Sequence, residues 1–156
     1  MKKVLVSIGF LVSIVLVGCS SLQLQPADFS WAAEEIIEVG SKGMVDAKRY
    51  SVAFTVTPLL AKEFAEDSMA AKNTKEIRLI RDKAGFYYLT GKKFKSVYVL
   101  VQSEGALAVN NTLTISAEKP MDDPKFDQKD SYIELWNGKE KFQLTKGGAQ
   151  PVGGKK

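Results

Sequence analysis

Ile133-Glu134-Leu135-Trp136-Asn137-Gly138-Lys139-Glu140-Lys141-Phe142-Gln143-Leu144 alternates apolar and polar residues on both sides of an Asn-Gly pair, the signature of a β-hairpin. Asn-Gly suits a tight two-residue turn because both of its central positions need positive φ. With residues 137 and 138 in the turn, the opposite pairs are Trp136 with Lys139, Leu135 with Glu140, Glu134 with Lys141 and Ile133 with Phe142. Ile133, Leu135, Phe142 and Leu144 then form a core face. Tyr132, Glu134, Trp136, Lys139, Lys141 and Gln143 fall outside, with Glu134 and Lys141 as a cross-strand ion pair.

Upstream, the same period recurs. In residues 94–102, Val97, Val99 and Val101 face one way while Tyr98 and Leu100 face the other, which reads as a central strand covered on both faces. Residues 76–81 and 86–90 form a hairpin joined by Asp82-Lys83-Ala84-Gly85. Residues 107–109 and 112–116, split by Asn110-Asn111, give one or two short strands. In residues 50–57, Tyr50, Val52, Phe54 and Val56 share a face, and Pro58 ends that ladder. Residues 57–72 are a crossover with the one stretch suited to a helix, or else an irregular edge loop. Residues 29–39 read as a strand running into the turn Gly40-Ser41-Lys42-Gly43, with a short helix capped by Ser30 as the alternative.

Seven or eight short strands with glycine or asparagine turns, and at most one short helix, predict a mainly β fold: an antiparallel, immunoglobulin-like β-sandwich. The analogy is architectural, because the paired cysteines and buried tryptophan of immunoglobulin domains do not occur as a pattern here. The sandwich is expected over residues 29–146. The Gly- and Lys-rich residues 147–156 are expected to be disordered.

The opposite end carries the address. Lys2 and Lys3 precede an uncharged apolar run over residues 4–17, the layout of a secretory signal. About 14 residues span roughly 21 Å as a helix, short of the roughly 20 residues that cross a hydrocarbon core. The run ends in Leu16-Val17-Gly18-Cys19, which resembles the lipobox of bacterial lipoproteins. That resemblance implies removal of residues 1–18, a diacylglyceryl group on the Cys19 sulfur, a further acyl chain on its new amino group, and a lipidated tether over residues 19–28. Two or more chains give stable anchorage, since each buried methylene contributes about 0.8 kcal/mol. Ser20 stands where an aspartate would favour inner-membrane retention in the Gram-negative pattern. The expected location is therefore the cell envelope, at the outer membrane and facing the periplasm if the host has two membranes.

Lys2 and Lys3 would leave with the signal, so 22 basic residues become 20 against 18 acids and the formal charge falls from +4 to +2. Little basicity remains to suggest nucleic acid as a partner. With Cys19 lipidated no thiol would remain for a disulfide. The chain has no histidine, which removes the commonest general base, the commonest zinc ligand and every Ser-His or Cys-His arrangement. The expectation is a non-catalytic protein without cofactor or metal.

Three clusters carry the remaining functional signal. Asp122, Asp123, Asp127 and Asp130, with Glu118, form an acidic stretch that suits a calcium loop, a carboxylate hydrolase or, more plainly, a solvated loop interrupted by Lys125 and Lys129. Residues 72–95 hold Lys72, Lys75, Arg78, Arg81, Lys83, Lys92, Lys93 and Lys95 around Phe86, Tyr87 and Tyr88. These form a basic face for anionic head groups, phosphorylated glycolipid or an acidic polymer if they converge, and solvated strand edges if they do not. Tyr132 and Trp136, on the outer face of the last hairpin, complete with Lys92 and Lys93 a candidate partner surface. The function expected is a membrane-anchored envelope lipoprotein that binds a protein or polymer partner. The alternative is a small-ligand or lipid carrier with a cavity between sheets near Phe54, Val99 and Phe142.

Overall fold

The computed structural model describes residues 33–153 and is mainly β. Its strands in chain order are β1 (Glu35–Glu38), β2 (Met44–Ala47), β3 (Val52–Thr55), β4 (Glu76–Arg81), β5 (Tyr87–Thr90), β6 (Ser96–Ser103), β7 (Ala106–Thr114), β8 (Pro124–Gln128), β9 (Ile133–Asn137), β10 (Glu140–Thr145) and β11 (Gly148–Pro151). A 3-10 turn lies at Lys48–Tyr50, and helices α1 (Thr57–Glu63) and α2 (Ser68–Asn73) connect β3 to β4. All pairings are antiparallel, in three open sheets ordered β1-β4-β5-β6-β7, β11-β10-β9-β8 and β2-β3. The lipobox, Cys19, the tether and residues 29–32 lie outside the described residues.

Pairing in the five-stranded sheet sorts its side chains by face. Leu79, Tyr87, Leu89, Tyr98 and Leu100 share one face, and Arg78, Ile80, Tyr88, Thr90, Val97 and Val99 the other. The first is covered by the β2-β3 ribbon region and α1: the Tyr50 and Tyr87 rings meet edge to face at 5.8 Å, and the Tyr98 hydroxyl donates to Glu63 Oε2 at 2.7 Å. The second meets the four-stranded sheet, where Arg78 reaches Asp123 at 2.9 Å and Asn111 Nδ2 donates to the Lys146 carbonyl at 3.1 Å. A sheet between two covering layers needs apolar residues on both faces, as β4, β5 and β6 have. Phe126, Ile133, Leu135 and Leu144 join the same core as the central strands. Each fully buried side chain of this kind contributes about 1.5–3 kcal/mol.

The last hairpin keeps its predicted faces but not its predicted partners. Gly138 and Lys139 form the loop, with Gly138 at φ +62°, and Asn137 pairs with Glu140. A positive φ at the first loop position alone suits a type II′ turn, which glycine permits and asparagine disfavours. Moving the turn by one residue slides the register by two, so Leu135 opposes Phe142 and Ile133 opposes Leu144. A slip of two preserves the faces where a slip of one would invert them. The expected Glu134–Lys141 pair does not form. Lys141 instead opposes Trp136, and Glu134 lies buried beside Lys129, 3.8 Å from its Nζ.

Other expectations need correction. The described residues hold eleven strands rather than seven or eight, the additions including β2, which pairs with β3, and β11. Two helices replace the single one. α1 ends at Phe64, and the Asp67 carboxylate restarts the chain by accepting from Met69 N at 3.1 Å and Ala70 N at 2.9 Å. Residues 106–114 form one strand, because Asn110 is absorbed as the extra residue of a β-bulge: Val99 opposes Asn111 and Leu100 opposes Val109. Residues 148–151 are ordered rather than loose. Lys146-Gly147 makes a second two-residue connection, Leu144 opposes Ala149, and Val152 N donates to the Lys141 carbonyl at 2.7 Å. The folded unit thus extends past residue 146.

Candidate functional site

A hollow of about 810 Å³ opens between the turn at residues 40–43 and the helix pair. The turn closes through Gly43 N donating to the Gly40 carbonyl at 2.8 Å, and Val56 N donates to the Gly43 carbonyl at 2.8 Å. Gly43 sits at φ +71°, and a Cβ there would fall 2.0 Å from Thr57 Oγ1. Glycine is required on both counts. Pro58 occupies the first turn of α1, where no hydrogen bond from its nitrogen is needed, and Leu59 and Leu60 anchor the helix in the core. The short, alanine-rich helices leave room above them. Leu60, Phe64 and Ala71 form an apolar wall, and Lys42, Lys72 and Lys75 complete the rim.

A second hollow of about 380 Å³ shares Phe64, Thr74 and Lys75 with the first and is bordered by Lys92 and Lys93. Four of the eight basic residues read from residues 72–95 therefore gather around two adjoining hollows: Lys72, Lys75, Lys92 and Lys93. Lys93 is held in the left-handed region at φ +68°, its N–H donating to the Met121 carbonyl at 2.7 Å. Lys92 meets Glu76 at 3.3 Å and Lys93 meets Asp122 at 2.8 Å. The hydrogen bond from Lys93 holds the Asp122 carboxyl below the usual carboxylate range. Lys42, Lys72 and Lys75 have no ion pair among the described residues, and no acid lines the larger cleft.

The remaining basic residues do not join this site. Arg78 is buried between Glu34, 2.8 Å away, and Asp123. Arg81 stacks on Tyr87, with 5.3 Å between its Cζ and the ring centroid, and Lys83 pairs with Asp130 at 2.8 Å. Lys95 donates its backbone N–H to Glu63. Tyr87 and Tyr88 are interior, so the basic face does not carry the expected aromatics. Their burial has another effect: it pushes the Tyr88 phenol well above its ordinary range, with Asp82 adding to the shift, and does the same to Tyr98 beside Glu63.

Trp136 is exposed on the outer face of the four-stranded sheet, flanked in register by Lys125 and Lys141. Lys141 Nζ lies 3.7 Å from its ring centroid, so part of the proposed platform is already occupied. Tyr132 is half-buried, and its carbonyl accepts from Lys129 N at 2.9 Å. Neither residue lines the lysine-rimmed hollows.

The acidic stretch is not an open loop. Its middle forms β8, and its four aspartates are matched to cations: Asp122 to Lys93, Asp123 to Arg78 and Lys125, Asp127 to Lys129 at 2.5 Å, and Asp130 to Lys83. No group of three metal-ligating side chains forms among the described residues. Phe54, Val99 and Phe142 do not border one space between sheets. Val99 faces the four-stranded sheet that carries Phe142, whereas Phe54 belongs to the ribbon on the other side of the central sheet. Sequence reasoning missed Lys42, Thr57 and the apolar helix wall as site residues. The Gly40-Ser41-Lys42-Gly43 turn was their one visible sign.

No helix among the described residues is long and apolar enough to cross a membrane. Fold and site together define a mainly β, antiparallel domain with a lysine-rimmed cleft beside two short helices. The chain matches no family model, no curated protein and no solved structure.

Proposed function

We propose that this chain is a lipid-anchored, non-catalytic binding module of a bacterial cell envelope, held at the membrane through Cys19, with the cleft rimmed by Lys42, Lys72 and Lys75 as its surface for an anionic envelope component. The observation that carries the reading is the charge distribution of the cleft: three lysines without an ion pair among the described residues, and no acid in the lining. Other surface lysines, among them Lys83, Lys93, Lys125 and Lys129, are paired with carboxylates. A concave site that leaves its cations unmatched selects an anionic ligand and repels a cationic one.

The anchor rests on Leu16-Val17-Gly18-Cys19, and Ser20 favours the outer membrane in a host that has one. We read the architecture as related to immunoglobulin-like sandwiches, since two antiparallel sheets share a core; the ribbon and helices over the far face are additions to that plan. We read the chemistry available to the domain as recognition, because the chain has no histidine and the four aspartates of residues 122–130 are each matched to a cation. Trp136 is a secondary contact.

The test is an affinity capture of the full chain from crosslinked native membranes, beside Cys19→Ala and beside Lys42→Glu/Lys72→Glu/Lys75→Glu. Mass spectrometry reads the modified N-terminus and the recovered molecules. A partner lost with both variants supports the reading. An unmodified Cys19, or recovery that is indifferent to the three charge reversals, overturns it.

A further inference from the structure

We infer that the occupant of this cleft is a single-chain anionic amphiphile, its alkyl chain along Leu60, Phe64 and Ala71 and its phosphate or carboxylate among Lys42, Lys72 and Lys75. The inference rests on the cleft being a binding surface and adds the chemical class of what it binds. About 810 Å³ lies within the roughly 300–1,000 Å³ typical of small-molecule sites. The lining divides into two chemistries. Val39, Leu60, Phe64, Ala65 and Ala71 offer hydrocarbon, while the three lysines carry charge and Thr57, Ser68 and Thr74 carry hydroxyls.

An inorganic anion would satisfy the lysines and leave the half-buried Phe64 and Ala71 facing water. A neutral alkyl chain would cover that wall and leave three ammonium groups unneutralised around one opening. A molecule with an anionic head and an apolar chain meets both demands. Lysine ammonium groups, each with three rotatable donors, accept phosphate and carboxylate alike, so the head group is defined by charge rather than by shape. The adjoining hollow with Lys92 and Lys93 opens from the same Phe64, Thr74 and Lys75 border and leaves space for a larger head.

Photolabelling of the full chain in phosphatidylcholine vesicles tests this, with dodecyl phosphate carrying a diazirine at the chain terminus as probe. Labelled peptides are mapped by mass spectrometry. Labelling should concentrate in residues 57–75, fall at least tenfold with excess unlabelled dodecyl phosphate, and fall comparably in Lys42→Ser/Lys72→Ser/Lys75→Ser. Those lysines make no ion pair among the described residues, so the triple variant should keep the parent's melting temperature, which separates lost binding from lost folding. Ala61→Trp fills the apolar side without touching a lysine and should abolish labelling too. Competition by inorganic phosphate as effective as by dodecyl phosphate would overturn the amphiphile while leaving an anion site. Labelling spread evenly over the domain and indifferent to both variants would overturn the amphiphile and the cleft together.

Discussion

Replacing Arg78 with methionine removes the cation that joins the two large sheets. Arg78 lies on β4 with its guanidinium 2.8 Å from Glu34 and 2.9 Å from Asp123, and Glu34 Oε1 accepts from Phe126 N on β8 at 2.8 Å. Methionine keeps most of the side-chain volume, so the cost is electrostatic rather than a cavity. Removing one partner of a buried pair costs about 3–5 kcal/mol, because the other charge stays behind. Glu34 keeps 16% side-chain exposure and Asp123 50%, which places Arg78→Met at the lower end, about 3 kcal/mol. Glu34→Gln retains an oxygen for Phe126 N without the charge, so Arg78→Met/Glu34→Gln should cost only about 1 kcal/mol, less than Arg78→Met alone. Urea unfolding followed by tryptophan fluorescence measures all three variants. With a slope of about 2 kcal/mol per M, the single arginine variant should lose about 1.5 M in midpoint. A loss below about 1 kcal/mol, or costs that simply add in the double variant, would refute the claim that this cation bridges the sheets.

Gly43→Ala should destabilise the protein by at least about 2 kcal/mol, from left-handed strain together with the collision at Thr57; adding Thr57→Ala should recover part of the loss in thermal melts, and no recovery would locate the cost elsewhere. Stability should be flat between neutral pH and pH 10 and fall above it through the tyrosines. Burial raises the folded pKa of Tyr88 and Tyr98 above the ordinary 10.0, so the protonated phenol is favoured in the fold and its contribution is lost as pH rises beyond the unfolded value. Tyr98→Phe should make that alkaline decline shallower, and an unchanged slope would contradict the assignment. Lys141→Ala should cost about 0.5–1 kcal/mol through the lost stacking on Trp136, and a double-mutant cycle with Trp136→Leu that returns no coupling would count against the contact.

Much of the sheet structure was legible because it depends on local periods. The β4-β5 hairpin, the doubly covered β6 and the core face of β9 and β10 follow from alternation, which survives a change of turn so long as the register moves by two. The misread elements turn on a few residues whose effect depends on distant partners. Asn110 reads as a turn residue and is a bulge because β6 pairs along its whole length beside it. Residues 148–151 read as a loose tail, yet the open edge of β10 and the seat beside Leu144 give them a partner. Met44–Ala47 carries too short a pattern to stand alone and becomes a strand by pairing with β3.

The candidate site was harder to read, for the same reason in reverse. Its lysines come from the β1-β2 turn, from α2 and from the approach to β4, and no spacing along the chain brings Lys42 beside Lys72 and Lys75; the fold does so by laying the helix pair against the turn that Gly43 permits. The acidic stretch looked richer because its residues are adjacent in sequence. In space, Asp122 and Asp130 are matched to lysines 29 and 47 residues away, and adjacency became neutralisation. A charge cluster in sequence is therefore a weaker functional sign than charges left unmatched in a hollow, since carboxylates pair with Lys83 and Lys93 while none lines the cleft that holds Lys42, Lys72 and Lys75.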